Sequence, residues 1–222
     1  MNTKYPGFEQ PAVTVDLVIF TVNEDMLKVM LVKRAEEPFA DSWSLPGGFI
    51  KNSESLEAAA LRVLKEKAGV ENVYVEQLYT FGDPNRDPRA RVITVTYFAL
   101  IPWKDLFPPP SDKVTDLRWA SVNHLPKLAF DHREIVSYAV QRLRAKASYS
   151  NIVYSLMPRQ FRLSELQRMY EIIINHKLDK RNFRKRMLAT RLLQETGRKD
   201  VAGAHRPAML YKFKKMEIAF LD

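Results

Sequence analysis

Apolar and polar positions change period several times along the chain, and each change predicts an element. Residues 13–22 (VTVDLVIFTV) are dense in β-branched side chains. The turn-forming Asn23, Glu24 and Asp25 follow, and residues 27–32 resume the apolar run, which reads as a hairpin. Residues 73–81 and 91–100 are further strands, the second almost uninterruptedly apolar and therefore central in a sheet. Residues 117–120 form a short strand. Residues 55–68 and 131–146 have helical spacing, the latter with Ile135, Tyr138, Ala139 and Leu143 on one face. Strands interleaved with two helices predict an α/β sandwich around a mixed sheet.

The pattern shortens after 147–150, where an irregular segment runs to Pro158. Ser164, with Gln167 three residues on, has the form of a capping box. Leu166, Met169, Tyr170, Ile173 and Ile174 mark the apolar face of the helix that follows. A turn is expected at 175–178, and Asp179 caps a second helix over 180–188. There Phe183 and Met187 face inward and Arg181, Arg184 and Lys185 form the opposite stripe. Residues 192–196 and 208–213 read as hairpin strands. Two short helices, the second basic, followed by a hairpin make a winged helix-turn-helix.

Composition adds that the chain exceeds one typical domain, with 222 residues of which 46% are hydrophobic. Cysteine is absent, which excludes a disulfide framework, a thiolate nucleophile and a thiolate zinc site. No basic segment followed by an apolar run opens the chain and no stretch of about 18 apolar residues occurs, so a cytoplasmic location away from the membrane is expected. The net charge of +9 is unevenly placed. Residues 1–148 hold 19 basic and 19 acidic residues, whereas residues 149–222 hold 16 and 7. Such asymmetry is expected where residues 1–148 form a ligand-sensing domain and residues 149–222 meet a polyanion.

Candidate chemistry is concentrated in residues 48–70, GFIKNSESLEAAALRVLKEKAGV. This segment resembles the Nudix box, G-x5-E-x7-R-E-U-x-E-E-x-G-U with U aliphatic. Gly48, Glu54, Arg62, Leu64, Glu66, Gly69 and Val70 fall on the pattern, and Val63 and Lys67 depart from it. Positions 63, 66 and 67 share one helix face. In Nudix enzymes that face carries glutamates that hold divalent cations against a pyrophosphate. Here Glu66 alone remains there, beside the ammonium of Lys67, so Glu54 and Glu66 are read as vestigial. No metal, no cofactor and little or no hydrolysis are expected.

A second cluster is the loop FGDPNRDPRAR at 81–91. It offers Arg86, Arg89 and Arg91, whose planar guanidinium forks suit phosphate, with Asp83 and Asp87 as alternative partners for them. It resembles the FGDPxRDPRGR loop of Nudix proteins that bind ADP-ribose and of regulators derived from them, with Ala90 at the usual glycine. In those proteins the AFDH segment, here 129–132, lies near the ligand pocket, which implicates Phe130 and His132; Asp131 could equally be a helix N-cap. Arg34 and Phe39 complete a candidate pocket as a cation and an aromatic face, and Lys67 and Asp87 join them.

Over nearly its full length the chain resembles the Nudix-related transcriptional regulators of the NrtR type. The resemblance rests on TVDLVIFT, LPGGFI with the eroded box, RDPR, AFDH, LSELQ, NFRKR and HRPAMLYKF. It implies a Nudix α/β/α sandwich followed by a small winged helix-turn-helix domain, homodimers on palindromic double-stranded DNA, and control of NAD synthesis and salvage genes in response to ADP-ribose. Relatives of the same architecture respond to sugars such as arabinose. DNA contacts are expected from Lys180, Arg181, Asn182, Arg184, Lys185 and Arg186 on the second helix and from Arg198, Lys199, His205 and Arg206 in the loop of the wing. An active ADP-ribose pyrophosphatase with an accessory nucleic-acid-binding domain is one rival, and an RNA-gripping Nudix protein another. The latter would need exposed stacking aromatics, and Phe183, the aromatic of the basic helix, faces inward.

Overall fold

The computed structural model describes residues 10–106, 117–200 and 207–221. The N-terminal part contains, in order, β1 (Ala12–Asn23), β2 (Met26–Lys33), β3 (Trp43–Ser44), β4 (Gly47–Phe49), α1 (Leu56–Ala68), β5 (Tyr74–Phe81), β6 (Val92–Leu100), β7 (Leu117–Ser121) and α2 (His132–Tyr149). The seven strands form one sheet along β3-β2-β1-β6-β5, with β4 added to β1 and β7 to β2. β1 and β6 run parallel, and the other pairings are antiparallel. The β1–β2 turn has both central residues, Glu24 and Asp25, at positive φ, the geometry that matches the twist of a tight hairpin.

β1 is apolar on both faces because both are covered. Val15, Leu17 and Ile19 pack with Ala59, Ala60, Val63 and Leu64 of α1. Val18 and Phe20 pack with Ile135, Val136, Ala139 and Leu143 of α2. The result is the expected α/β/α sandwich. The Ser55 hydroxyl accepts the Ala58 N–H and starts α1, and Gly69 at φ 68° ends it.

α2 continues to Tyr149, across the point at 148 where the charge balance changes, and the apolar cluster it seals does not stop there. It extends through Ile152, Phe161, Leu166, Tyr170, Ile173, Phe183 and Met187 to Phe213. The C-terminal part comprises β8 (Phe161–Arg162), α3 (Leu163–Ile174), α4 (Lys180–Ala189), β9 (Leu193–Asp200) and β10 (Ala208–Phe213), with sheet order β8-β10-β9. This is a winged helix. Its C-terminal tail returns to α2, where the buried Asn151 side chain donates to the Glu217 carbonyl and accepts the Ala219 N–H.

Three details depart from the expected pattern. α3 is not capped by Ser164 and Gln167. Phe161 is buried and paired with Tyr211, which makes Arg162 the last extended residue, and its N–H is accepted by the Glu165 carboxylate at 2.7 Å. The sheet has a third strand, β8, whose two residues are too few to show a period. β9 reaches Asp200, so Arg198 and Lys199 lie on a strand rather than in the loop; Gly197 at φ 72° lies beside the register shift that accommodates the extra length.

Glu171 ties the α3–α4 turn together. Its carboxylate accepts from the Gln167 amide, the Leu178 N–H and Lys177 at 2.8–3.1 Å. These donors, Lys177 foremost, hold it down at about 2, from an ordinary 4.5. A depressed carboxylate contributes stability that is complete above the unfolded value and is lost as pH falls through the folded one. Thermal melts between pH 4.5 and 2 should therefore show a shallower acid loss for Glu171→Gln than for the wild type. Parallel curves would mean that the turn does not depend on this carboxylate.

Candidate ligand cavity and nucleic-acid interface

Between the sheet and the C-terminal half of α1, where Arg62, Glu66 and Lys67 lie, is a cavity of about 530 Å³. Its floor is a buried charge network. Arg86 is 8% exposed and makes a two-pronged contact with Asp131, Nε to Oδ2 and Nη2 to Oδ1, both at 2.8 Å; its Nη2 also lies 3.5 Å from Asp16. Asp131 is thus not the side-chain cap of α2, because its carboxylate belongs to Arg86. Gly47 makes room for Asp16, since a Cβ there would lie 2.1 Å from the Asp16 Oδ1.

His132 is the other floor residue. It is 4% exposed, its Nδ1 accepts the Leu45 N–H at 2.9 Å, and its Nε2 lies 3.8 Å from Asp16. Burial pushes its pKa down, against the pull of Asp16 and Asp131, which favours the neutral ring with its proton on Nε2. His132 therefore joins the LPGG segment to α2 from beneath the cavity.

The wall opposite α1 is aromatic and cationic. Phe130 lines the cavity and packs edge-on, centroids 4.9 Å apart, against Phe39, which is exposed and does not itself line it; two guanidiniums lie over the Phe130 ring, Arg34 at 4.8 Å and Arg89 at 5.9 Å. Arg34 is held by the carbonyls of Pro38 and Glu36, and Arg89 pairs with Asp87 at 2.7 Å. Desolvation and the adjacent Arg89 both push the Arg34 pKa down. Lys51, Glu66 and Lys67 line the side formed by the eroded box. Arg91 is turned away, exposed and bonded to the Gly82 carbonyl at 2.7 Å.

On the winged helix, Asp179 accepts the Asn182 N–H at the start of α4, and Lys180, Arg181, Asn182, Arg184 and Lys185 are all exposed. Arg184 also reaches the Tyr211 hydroxyl. Arg186, though exposed, donates to the Ser148 carbonyl at 3.1 Å and so pins α4 to the end of α2. Arg198 and Lys199 are exposed on β9; His205 and Arg206 lie outside the described residues. Arg191, Lys212 and Lys214 are further exposed cations of the winged helix that no sequence motif marks. Asp16 and Lys51 also line the cavity outside the sequence-predicted set, and a lone aspartate inside a β-branched strand is the signal that marks Asp16.

A model of the NUDIX domain matches residues 10–139, and a model described as the NrtR DNA-binding winged helix domain matches residues 153–213. The ADPR responsive transcriptional repressor NtrR of Acinetobacter baylyi is 39% identical over 99% of this chain and 87% of its own length. Shewanella oneidensis NrtR complexed with a 27mer DNA superposes with a TM-score of 0.80 at 38% identity, covering 91% of this chain and 93% of that one. The NUDIX domain of the same protein complexed with ADP ribose superposes with a TM-score of 0.56 at 41% identity, covering 64% of this chain and 94% of that domain.

The burial of Arg86 changes what its replacement should do. Removing it leaves the buried Asp16 and the partly buried Asp131 without their cation, so Arg86→Ala should lose about 3–5 kcal/mol of stability in urea unfolding, before any effect on ligand is read. A loss of about 0–1 kcal/mol, as for an exposed pair, would show that the network does not hold the floor.

Proposed function

The chain belongs to the NrtR family of Nudix-related transcriptional regulators, and we propose on that premise that it represses transcription by binding operator DNA and is released or retuned by ADP-ribose in its Nudix-like cavity. The observation that carries this reading is the placement of two cationic sites on one chain, one in a cleft beside an aromatic ring and one exposed on a capped helix. A half-open cleft of about 530 Å³ with aromatic and guanidinium walls suits a nucleotide with a diphosphate. An exposed helix with a basic outer stripe suits the major groove and its phosphates. The division of labour follows the boundary near residue 148.

Assignments within the sites are part of the proposal. Phe130, Phe39 and Arg34 supply a stacking face and Arg89, Lys51 and Lys67 supply cations, while Arg86, Asp87 and His132 support the site from below. Arg181, Asn182, Arg184 and Lys185 reach DNA from α4, with Arg198 and Lys199 along the wing. Two copies of the chain on a palindrome would place their α4 helices about 34 Å apart, one turn of DNA. ADP-ribose is what remains of NAD after loss of nicotinamide, which favours genes of NAD synthesis and salvage as the targets. No helix among the described residues is long and apolar enough to cross a membrane; a cytoplasmic location accords with DNA and NAD as partners.

Coupling has a physical route. α2 begins at His132 beneath the cavity and ends at Tyr149; its 18 residues span about 27 Å. Its far end meets the winged helix, where Arg144 donates to the Ile173 carbonyl and Arg186 to the Ser148 carbonyl. A second link runs through the β1–β2 turn, whose Asp25 takes Arg168 of α3 at 2.8 Å. Ligand can change DNA affinity only by favouring one arrangement of these contacts over another.

Fluorescence anisotropy of operator DNA with ADP-ribose titrated in, and AMP release followed in the same samples, tests the reading. Saturable change in DNA affinity without matching turnover is expected; rapid AMP release with no effect on DNA would restore the pyrophosphatase. Arg181→Ala and Lys185→Ala should each weaken DNA binding and lower the salt dependence by about one counterion, with ADP-ribose affinity retained. Asp25→Asn should leave the affinity for each ligand alone near the wild-type value and shrink the factor by which one alters the other, typically about 5- to 150-fold. An unchanged factor would remove the hairpin turn from the route.

A further inference from the structure

On the side of β9 that joins the core, Glu195 is a carboxylate set among the exposed cations of the winged helix. It lies directly opposite Tyr211 of β10, and the next pair on the same face, Leu193 with Phe213, is buried. Tyr211 is in the central strand, between Phe161 of β8 and Glu195, and is 2% exposed. Its ring belongs to the apolar cluster, whereas its hydroxyl ends between two exposed side chains. It donates to the Glu195 Oε1 at 3.1 Å, and Arg184 of α4 reaches the same oxygen. Burial, and then Glu195 beside it, pushes the Tyr211 pKa up, so the hydroxyl keeps its proton for the carboxylate and has lone pairs for the guanidinium.

This contact sits where the wing bends. On one side of it the register of β9 and β10 is regular, Gln194 with Lys212 and Leu193 with Phe213. On the other side the register shifts, and residues 196–198 face Leu210 alone before Lys199 pairs with Met209. The Thr196 hydroxyl donates to the Leu210 carbonyl and accepts the Arg198 N–H, and Gly197 takes φ 72°. Such a bulge turns the strand and re-aims the side chains that follow it, here the exposed Arg198 and Lys199. Their direction is set from the last regular pair before the bulge, and one hydroxyl ties that pair to α4. A neutral hydroxyl also orients Arg184 while leaving its charge to act on DNA; a direct carboxylate partner would neutralise it.

We propose that Tyr211 is a positioning residue of the DNA-binding face: its hydroxyl, shared between Arg184 of α4 and Glu195 of β9, fixes the wing against the recognition helix so that both meet a chosen DNA sequence in one geometry. The inference rests on the reading that α4 and the wing bind DNA, and deepens it. Contacts to phosphate tolerate small rotations of long side chains, whereas hydrogen bonds to base edges do not. Loss of the clamp therefore costs recognition of the chosen sequence and spares the attraction for duplex DNA in general, since no cation is removed.

The probe is the duplex that the full wild-type chain selects from a randomised library, compared with a scrambled duplex of the same composition by fluorescence anisotropy. Tyr211→Phe keeps the ring in the core and removes only the oxygen. It should weaken binding of the selected duplex by about tenfold, the scale of one hydrogen bond to a charged group. Binding of the scrambled duplex should change by less than about twofold, with the same salt dependence. The ratio of the two affinities is the quantity to compare, because removing the Glu195 charge raises attraction for any duplex. Glu195→Ala should lower that ratio as Tyr211→Phe does, and Glu195→Gln, which retains an acceptor, should restore most of it. The double variant Tyr211→Phe/Glu195→Ala should lose no more than either alone. An unchanged ratio in Tyr211→Phe overturns the proposal and leaves DNA binding intact. So does a fall in both affinities that follows the melting temperature, since the hydroxyl would then only hold the fold. If the wild type selects no sequence, the DNA reading and the clamp fall together.

Discussion

The contact between Arg86 and Asp131, with Asp16 behind it, is the constraint on which the rest of the molecule depends. Three segments distant in sequence meet there: the arginine-rich loop before β6, the middle of β1, and the residue that precedes α2. A buried guanidinium is tolerable only with carboxylates and good geometry around it. That requirement fixes the loop against the sheet, forces glycine at position 47 where a Cβ would collide with Asp16, and sets where α2 begins. His132, the first residue of α2, then receives the Leu45 N–H, so the LPGG segment, the loop and the helix are locked into one floor. Because α2 also carries the winged helix at its far end, the orientation of α4 follows from how that floor is built.

Charge does different work in the two halves because burial differs. In the cavity, burial and the adjacent Arg89 push the Arg34 pKa down, whereas Asp87 holds Arg89 in its charged form. On α4 the cations are exposed and their attraction for phosphate is screened by salt, which suits a contact that must be reversible and must search along DNA. Neither site overlaps the other. Within one chain the two faces are joined by the packing of α2 and α3, in an apolar cluster that continues from the sheet to Phe213, and by the ion pair of Asp25 with Arg168.

The architecture is legible in the sequence where periodicity is long. β1, β2, β5, β6, α1, α2 and α4 all lie within a few residues of their predicted bounds, because each holds enough apolar positions to show its period. What escapes notice is short or depends on partners distant in sequence. β3, β4 and β8 have two or three residues each and exist because neighbours pair with them. Ser164 is a sound cap by local chemistry, but the burial of Phe161 moves the helix start. The candidate residues separate on the same principle. The sequence identifies Arg86, Asp87, Arg89, Phe130 and His132 as one group, and cannot say which face the cavity and which support it, since that depends on Asp16 and Asp131 reaching Arg86 first. Arg91 and Arg186 show the limit most plainly: each sits within a basic motif, and each is bonded to a backbone carbonyl that no motif predicts.

Loss of the box carboxylates has one further consequence for how such a protein can work. A hydrolase and a sensor need opposite things from the same ligand. The enzyme benefits when its product leaves, whereas the sensor benefits when the intact ligand remains long enough for the population of DNA-competent molecules to shift. Replacing glutamates at 63 and 67 by valine and lysine moves both properties together. Val63 closes the core under Gly48, so the face cannot readmit a metal ligand there without burying a carboxyl. Lys67 adds a charge attractive to diphosphate and repulsive to a divalent cation. Neither change disturbs the caps of α1 or the glycines of the LPGG turn, and the motif keeps its spacing. The helix thus keeps the spacing of the box, with a valine and a lysine at two positions that carry glutamates in Nudix enzymes.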